Sequence, residues 1–211
     1  MIVGGLPPGT PLRDASFATE FGVSRNTMRE ALRTLQHEGL VEHHVNRGFV
    51  VRTLTPDDVL DIYAVRNVVE IRAIQESALC SSAALAPVGT AVENARRAVA
   101  EDEWSDVGTA SLEFHQALVA TLGSPSLNEF FAGIVARLRL VFAVMDNGRA
   151  FQLPWMARDR EIWELIRSGR REEAQKSMSH YLEESQRLVL DVVRQNAGRK
   201  PVRKSPTIER P

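Results

Sequence analysis

Phe21-Gly-Val-Ser-Arg-Asn-Thr-Met-Arg-Glu-Ala-Leu-Arg-Thr-Leu-Gln-His-Glu-Gly-Leu40 is the stretch whose reading decides the fold. Ser24 suits a helix N-cap, because its hydroxyl can accept a hydrogen bond from a free amide of the first turn. Gly39 suits the far end, because glycine takes the left-handed backbone at no steric cost. At about 100° per residue, Met28, Leu32 and Leu35 share one arc of the helix between them. Arg25, Asn26, Arg29 and Arg33 share the neighbouring arc. One arc can pack on a core while the other offers guanidinium forks and an amide, groups that suit phosphate oxygens and base edges in a major groove. The plain alternative is a helical hairpin whose arginines are only solvated.

The flanks favour the first reading. Phe17, Ala18 and Phe21 predict a short apolar-faced helix, and Gly22-Val23 a tight turn into the next. Helix, glycine-containing turn and basic helix form the helix-turn-helix pattern. Downstream, residues 40–51 read as two short strands around Asn46-Arg47-Gly48, a hairpin turn in which Gly48 can take positive φ. A helix-turn-helix followed by such a hairpin is a winged helix, with Arg47 at the wing tip.

Residues 4–52 resemble the DNA-binding domain of the GntR family of bacterial transcription regulators. The resemblance lies in Gly5-Leu6-Pro7-Pro8-Gly9, Leu12, Gly22-Val23-Ser24-Arg25, Arg29-Glu30-Ala31-Leu32, Leu35, Glu38-Gly39-Leu40-Val41 and Arg47-Gly48-Phe49-Val50-Val51. It implies that Arg25, Asn26, Thr27 and Arg29 face DNA, with Arg47 and Gly48 of the wing beside them; Ser24 and Arg33 on the same helix complete the candidate DNA-binding set. In that family a helix normally precedes the Gly-x-x-Pro-Gly segment, and almost none of it stands here.

Composition sets the outer limits. A chain of 211 residues, 44% hydrophobic, holds one domain or two modest ones. A single cysteine, Cys80, excludes a disulfide framework and fits a reducing, cytoplasmic setting. No apolar run is long enough to span a membrane. The net charge of −1 does not argue against DNA, because placement of charge matters more than its sum. Residues 1–54 hold six arginines (13, 25, 29, 33, 47 and 52) and five acids (14, 20, 30, 38 and 42), so one head is near neutral and two copies would bind better than one.

The expected division is a winged helix-turn-helix over 1–53, an all-helical domain over 54–195 and a basic, disordered tail over 196–211. Leu12 to Phe21 should carry the first helix of the motif. Thr55 caps and Pro56 opens a long helix to about Ser81, with Val59, Tyr63, Arg66 and Glu70 on one stripe and enough apolar residues elsewhere to make it central. Further helices are expected from Pro87 to Glu103, Ser105 to Leu122, Pro125 to Met145, Pro154 to Ile166 and Arg170 to Gln195, with a break at 146–148. The fold class is therefore mainly α: a winged helix plus a bundle of six to seven helices.

Residues 56–195 resemble the FCD ligand-sensing domain of the FadR-like branch. The resemblance rests on Tyr63-x-x-Arg66-x-x-x-Glu70, Phe114-His115-x-x-Leu118 and Ile162-x-x-x-Ile166-x-x-Gly169, followed by Ala174 and Met178. It implies a central cavity for a small carboxylate effector and, often, a divalent metal. The family's metal set is an Asp and a His four residues apart, then two more His. Those positions here hold Ser111, His115, Asp159 and Tyr181. Serine and a phenol are poor ligands for zinc-like ions, which leaves His115 and Asp159 as the candidate metal ligands in a degraded site. His180 lies next to the expected position but about 100° away on a helix. The candidate effector residues are Arg66, Ser111, His115, Asp159 and Tyr181. The plain alternatives are a core histidine bonded to its neighbours and an ion pair between Arg66 and Glu70.

These readings predict a homodimeric regulator that binds an operator in double-stranded DNA and responds to an organic acid. Two others stay open: a dimeric DNA-binding protein that has lost effector control, and a hydrolase using Ser111, His115 and Asp159, for which the sequence offers no nucleophile elbow.

Overall fold

The structure is a computed structural model and describes residues 6–143 and 148–197. A winged helix-turn-helix is followed by six long helices.

In the head, β1 (Pro11–Leu12) precedes α1 (Asp14–Phe21), α2 (Arg25–His37), β2 (Val41–His44) and β3 (Gly48–Val51). The sequence signals for α2 hold. Ser24 accepts a hydrogen bond from the Thr27 amide at 3.0 Å, and Gly39 takes φ of 76° just past the helix end. Gly22, also left-handed, turns α1 into α2. The wing pairs β2 with β3 antiparallel, Val41 opposite Val51 and His44 opposite Gly48. Asn46 and Gly48 both take positive φ around Arg47.

Two expectations need correction here. The sheet has three strands in the order β1-β3-β2, because Pro11 and Leu12 add to the free edge of β3. The first helix therefore starts at Asp14 rather than Leu12. On the apolar face of that helix Phe21 is 62% exposed and stacks on Phe17. Ala18, Leu32, Leu40, Phe49 and Val51 form the head's core.

The bundle consists of α3 (Pro56–Glu76), α4 (Ser82–Ala100), α5 (Trp104–Ala120), α6 (Pro125–Phe142), α7 (Gly148–Arg167) and α8 (Arg171–Ala197). Thr55 and Asp58 form a reciprocal capping box at the start of α3. The expected stripe of Val59, Tyr63, Arg66 and Glu70 is buried. The helix stops at Glu76, and a 3-10 turn over Ser77–Leu79 replaces its predicted last turn. Its position is not central either, since Leu60 and Val68 are exposed. The middle of the bundle belongs to α5, which packs on α3, α4, α6 and α7. Its small residues Gly108, Ala110 and Ser111 let neighbours approach closely.

The sequence predicts helix starts at Pro87 and Pro154, but both lie inside their helices. Ser81 caps α4 six residues before Pro87, and α7 begins at Gly148, six before Pro154. Each ring sits in the second turn, where one amide donor is lost and the helix continues. The last helix runs to Ala197, so Asn196 belongs to it, and its side chain donates to the Val192 carbonyl. The predicted end of α6 near Met145, most of the break at 146–148 and most of the tail lie outside the described residues.

Candidate nucleic-acid interface and buried effector cavity

On the outer face of α2, the side chains of Arg25 and Arg29 are 68% and 55% exposed. Asp14, the first residue of α1, holds both: Arg25 Nη2 lies 3.2 Å from Oδ1 and Arg29 Nε 3.3 Å from Oδ2. This acid was not foreseen, since its pairing depends on how α1 crosses α2. Arg33 pairs with Glu30 one turn back at 2.8 Å. Such exposed pairs are worth about 0–1 kcal/mol, so a phosphate can displace the carboxylates readily. Ser24 is spent on capping and shares its hydroxyl with that of Thr27 at 2.8 Å. Asn26 is exposed at the start of the helix, and Arg47 is exposed at the wing tip. The structure thus gathers Ser24, Arg25, Asn26, Thr27, Arg29 and Arg33 at the exposed N-terminal part of α2, with Arg47 and Gly48 on the wing of the same head.

A second polar cluster lies inside the bundle. Arg66 is 2% exposed and donates through Nε to Glu70 Oε1 at 2.7 Å. The other oxygen of Glu70 meets His115 Nδ1 at 2.6 Å. A carboxylate only accepts, so Nδ1 carries the proton. The opposite nitrogen, Nε2, is 3.0 Å from the Tyr181 hydroxyl and 3.7 Å from Asp159 Oδ1. Ser111 donates to Asp159 Oδ2 at 2.6 Å. Above this chain, Tyr63 and Ser185 share a 2.5 Å hydrogen bond. All five predicted residues therefore meet in one network, and the two plain alternatives, the Arg66–Glu70 pair and the bonded histidine, are both realised within it. His180 lies outside it, paired with Glu184 at the surface.

The electrostatics divide the two carboxylates. Burial would raise Glu70, but the charges of Arg66 and His115 outweigh it and hold the group below the usual range. Burial dominates at Asp159 and pushes it up to about 6, despite His115 and the Ser111 hydroxyl. Tyr181 is raised well above its ordinary value, first by burial and then by the Asp159 charge.

Arg66, Ser111, His115 and Tyr181 line a small cavity together with Leu138 and Phe142 of α6 and Trp155 of α7. The space amounts to about 10 Å³, room for a single water. Arg66 Nη2, Trp155 Nε1 and Asp159 Oδ1 are buried without a hydrogen-bond partner. Trp155 was missed from sequence, although its spacing four residues before Asp159 puts both on one helix face.

The donor set fits a divalent ion poorly. His115 Nδ1 is committed to Glu70, leaving Nε2 and Asp159 Oδ1 as the available ligand pair. Their next neighbours are a serine hydroxyl and a phenol held protonated. Among the described residues, no three His, Cys, Asp or Glu side chains converge as a metal site. The hydrolase geometry also fails to assemble. The Ser111 proton goes to Asp159, and both histidine nitrogens face groups other than Ser111.

Comparison with known proteins bears on both regions. Residues 1–51 match the family of bacterial regulatory proteins called gntR, and residues 61–184 match the FCD domain. The chain belongs to the GntR family. A solved structure from Rhodococcus sp. RHA1, named as a GntR transcriptional regulator, superposes with a TM-score of 0.84 at 34% identity, covering 90% of this chain and 92% of that one. An HTH-type transcriptional regulator of Agrobacterium vitis, from the TAR-I ttuE-ttuC' intergenic region, is 32% identical over 119 residues, which cover 54% of this chain and 70% of the relative. The HTH-type transcriptional regulator YdhC of Bacillus subtilis (strain 168) is 38% identical over 72 residues. That match takes in 34% of this chain and spans only 32% of YdhC.

Proposed function

We propose that this GntR-family chain is a transcription regulator that binds duplex DNA as a homodimer in the cytoplasm. The observation that carries the reading is the outward presentation of Arg25 and Arg29 on a capped helix in a winged-helix head. No described helix is long and apolar enough to cross a membrane. Each head would read one half of a near-palindromic operator, as a two-fold dimer requires. Arg25→Ala and Arg29→Ala should each lower affinity at least about tenfold for a duplex selected from random sequence by the wild-type chain, with dimerisation and helical content intact. Undiminished gel-shift affinity in both variants would overturn the groove assignment.

The effector of this reading is a small organic acid. Arg66 Nη2 and Trp155 Nε1 are buried donors that lack partners, and a carboxylate would satisfy both. The second reading, a dimeric DNA-binding protein without effector control, is favoured by the small volume of the cavity. Thermal-shift measurements against a panel of two- to six-carbon carboxylic acids, with and without zinc, separate the two. A stabilisation by an acid that disappears in Arg66→Met supports the effector site. No shift from any acid supports the second reading.

A further inference from the structure

The head meets the bundle where two arginines converge on one glycine. Gly39 closes α2 with φ of 76°. A Cβ built there would stand 3.1 Å from Cδ of Arg137 and 3.5 Å from Nη1 of Arg52. Arg137 comes from α6 and is 19% exposed, with Nη1 4.0 Å from Asp61 of α3. Arg52 follows β3. Its Nη2 donates to Asp58 in the first turn of α3 at 2.5 Å, and its Nε lies 3.6 Å from Glu42 of β2. The methylenes of Arg137 thus rest on backbone that a side chain would push away, while Arg52 straps the wing to the same helix that carries Asp61.

The neighbour of Arg137 on α6 connects this contact to the interior. Leu138 is 2% exposed and lines the cavity beside Arg66 and His115. Consecutive residues on a helix diverge by about 100°, so α6 offers one side chain to the head and the next to the cavity. With room for one water, the cavity can take a larger molecule only if a wall moves. Leu138 and Phe142 place part of that wall on α6.

We propose that Arg137 and Arg52 are positioning residues that seat the recognition helix on the bundle at Gly39, and that α6 relays the state of the cavity to this seat through Leu138. The seat stands on its own geometry; the relay rests on the reading of the cavity as the effector site. Loss of the Arg137 contact frees the angle of each head without altering the DNA-facing side chains. Binding that needs two heads at a fixed spacing then suffers, and binding by one head does not.

The test uses the full chain in a Cys80→Ser background, with spin labels at Ala31→Cys on α2 and Ala86→Cys on α4. Labelled protein is diluted into unlabelled protein so that distances within one protomer are read. The expected wild-type result is one narrow distance. Arg137→Ala should broaden it, while Arg137→Lys, which keeps the methylenes, should leave it narrow. Affinity for a selected palindrome should fall about tenfold in Arg137→Ala, with affinity for an isolated half-site unchanged. A mere loss of stability would not split the two duplexes. An unbroadened distance together with an unchanged palindrome-to-half-site ratio overturns the seat. For the relay, Leu138→Phe or the milder Leu138→Met should shift the label distance in the Arg137 chain and add nothing in Arg137→Ala; equal shifts in both backgrounds overturn it. If the wild-type chain selects no duplex, the regulator reading fails, and the label distances still judge the seat.

Discussion

Asp159 shows how much one side chain can reveal about the buried network. It accepts from Ser111, keeps its other oxygen without a hydrogen-bond partner and has its carboxyl pushed up to about 6 by burial. In the unfolded chain an aspartate titrates near 4. The native state therefore holds its proton more tightly than the unfolded state between about pH 4 and 6. Across that window stability falls as pH rises, and the full penalty of the buried charge is present at pH 7. Asp159→Asn removes the charge while keeping an oxygen for the Ser111 hydroxyl. It should stabilise the chain at pH 7 by up to about 3 kcal/mol, taking a shift of roughly two units at 1.36 kcal/mol each. The gain should shrink towards zero near pH 4. Urea titrations of both proteins at pH 4, 5, 6 and 7 give the difference directly. A gain that does not change with pH would mean that Asp159 does not carry the titration.

At the scale of elements, what the sequence made legible was local. The N-cap at Ser24, the left-handed Gly39 and the Asn46–Gly48 turn each depend on a few adjacent residues, and each appears as read. Features set by tertiary contact were not legible. The two-residue β1 has no pattern of its own and exists through pairing with β3. Asp14 acquires its arginine partners because α1 packs across α2. The central place of α5 follows from small residues that permit close packing, a weaker signal than the β-branched residues that pointed to α3. The buried site was legible in its members and not in its bonding: Arg66, Ser111, His115, Asp159 and Tyr181 do meet, whereas Trp155 and the Glu70 link to His115 came from the structure. Pro87 and Pro154 do not mark helix starts, because a ring in the second turn costs a helix one bond without stopping it. That supplies a test. Pro87 is exposed on α4, and Pro87→Ala restores an amide donor to the turn that contains Ala83. The variant should be more stable by about 1–3 kcal/mol, read as a higher urea midpoint at constant slope. A lower midpoint would show that the ring itself packs or bends α4 to advantage.

For the whole molecule, the balance of charge decides how it meets DNA. The net charge is −1, and the head itself has nearly as many acids as arginines. The cations assigned to phosphate in the proposed interface are Arg25, Arg29, Arg33 and Arg47, and three of these already have carboxylate partners. One head therefore neutralises few phosphates and should bind weakly by itself. In the proposed homodimer two heads would bring twice the number to a palindrome, and the second would engage at the high effective concentration set by the first. Salt dependence reports this count, since each phosphate neutralised on duplex DNA releases condensed counterions and contributes about −0.9 to the slope of log affinity against log salt. With about four contacts per head, the slope should be roughly −4 for an isolated half-site and roughly −7 for the palindrome. Removing Arg47 from the wing should make the palindrome slope shallower by about two, one for each head. Fluorescence anisotropy with labelled duplexes between about 50 and 200 mM salt measures all three slopes in the range where the effect is large. Equal slopes for half-site and palindrome would mean that only one head touches DNA at a time, and the two-headed account of operator binding would have to be given up.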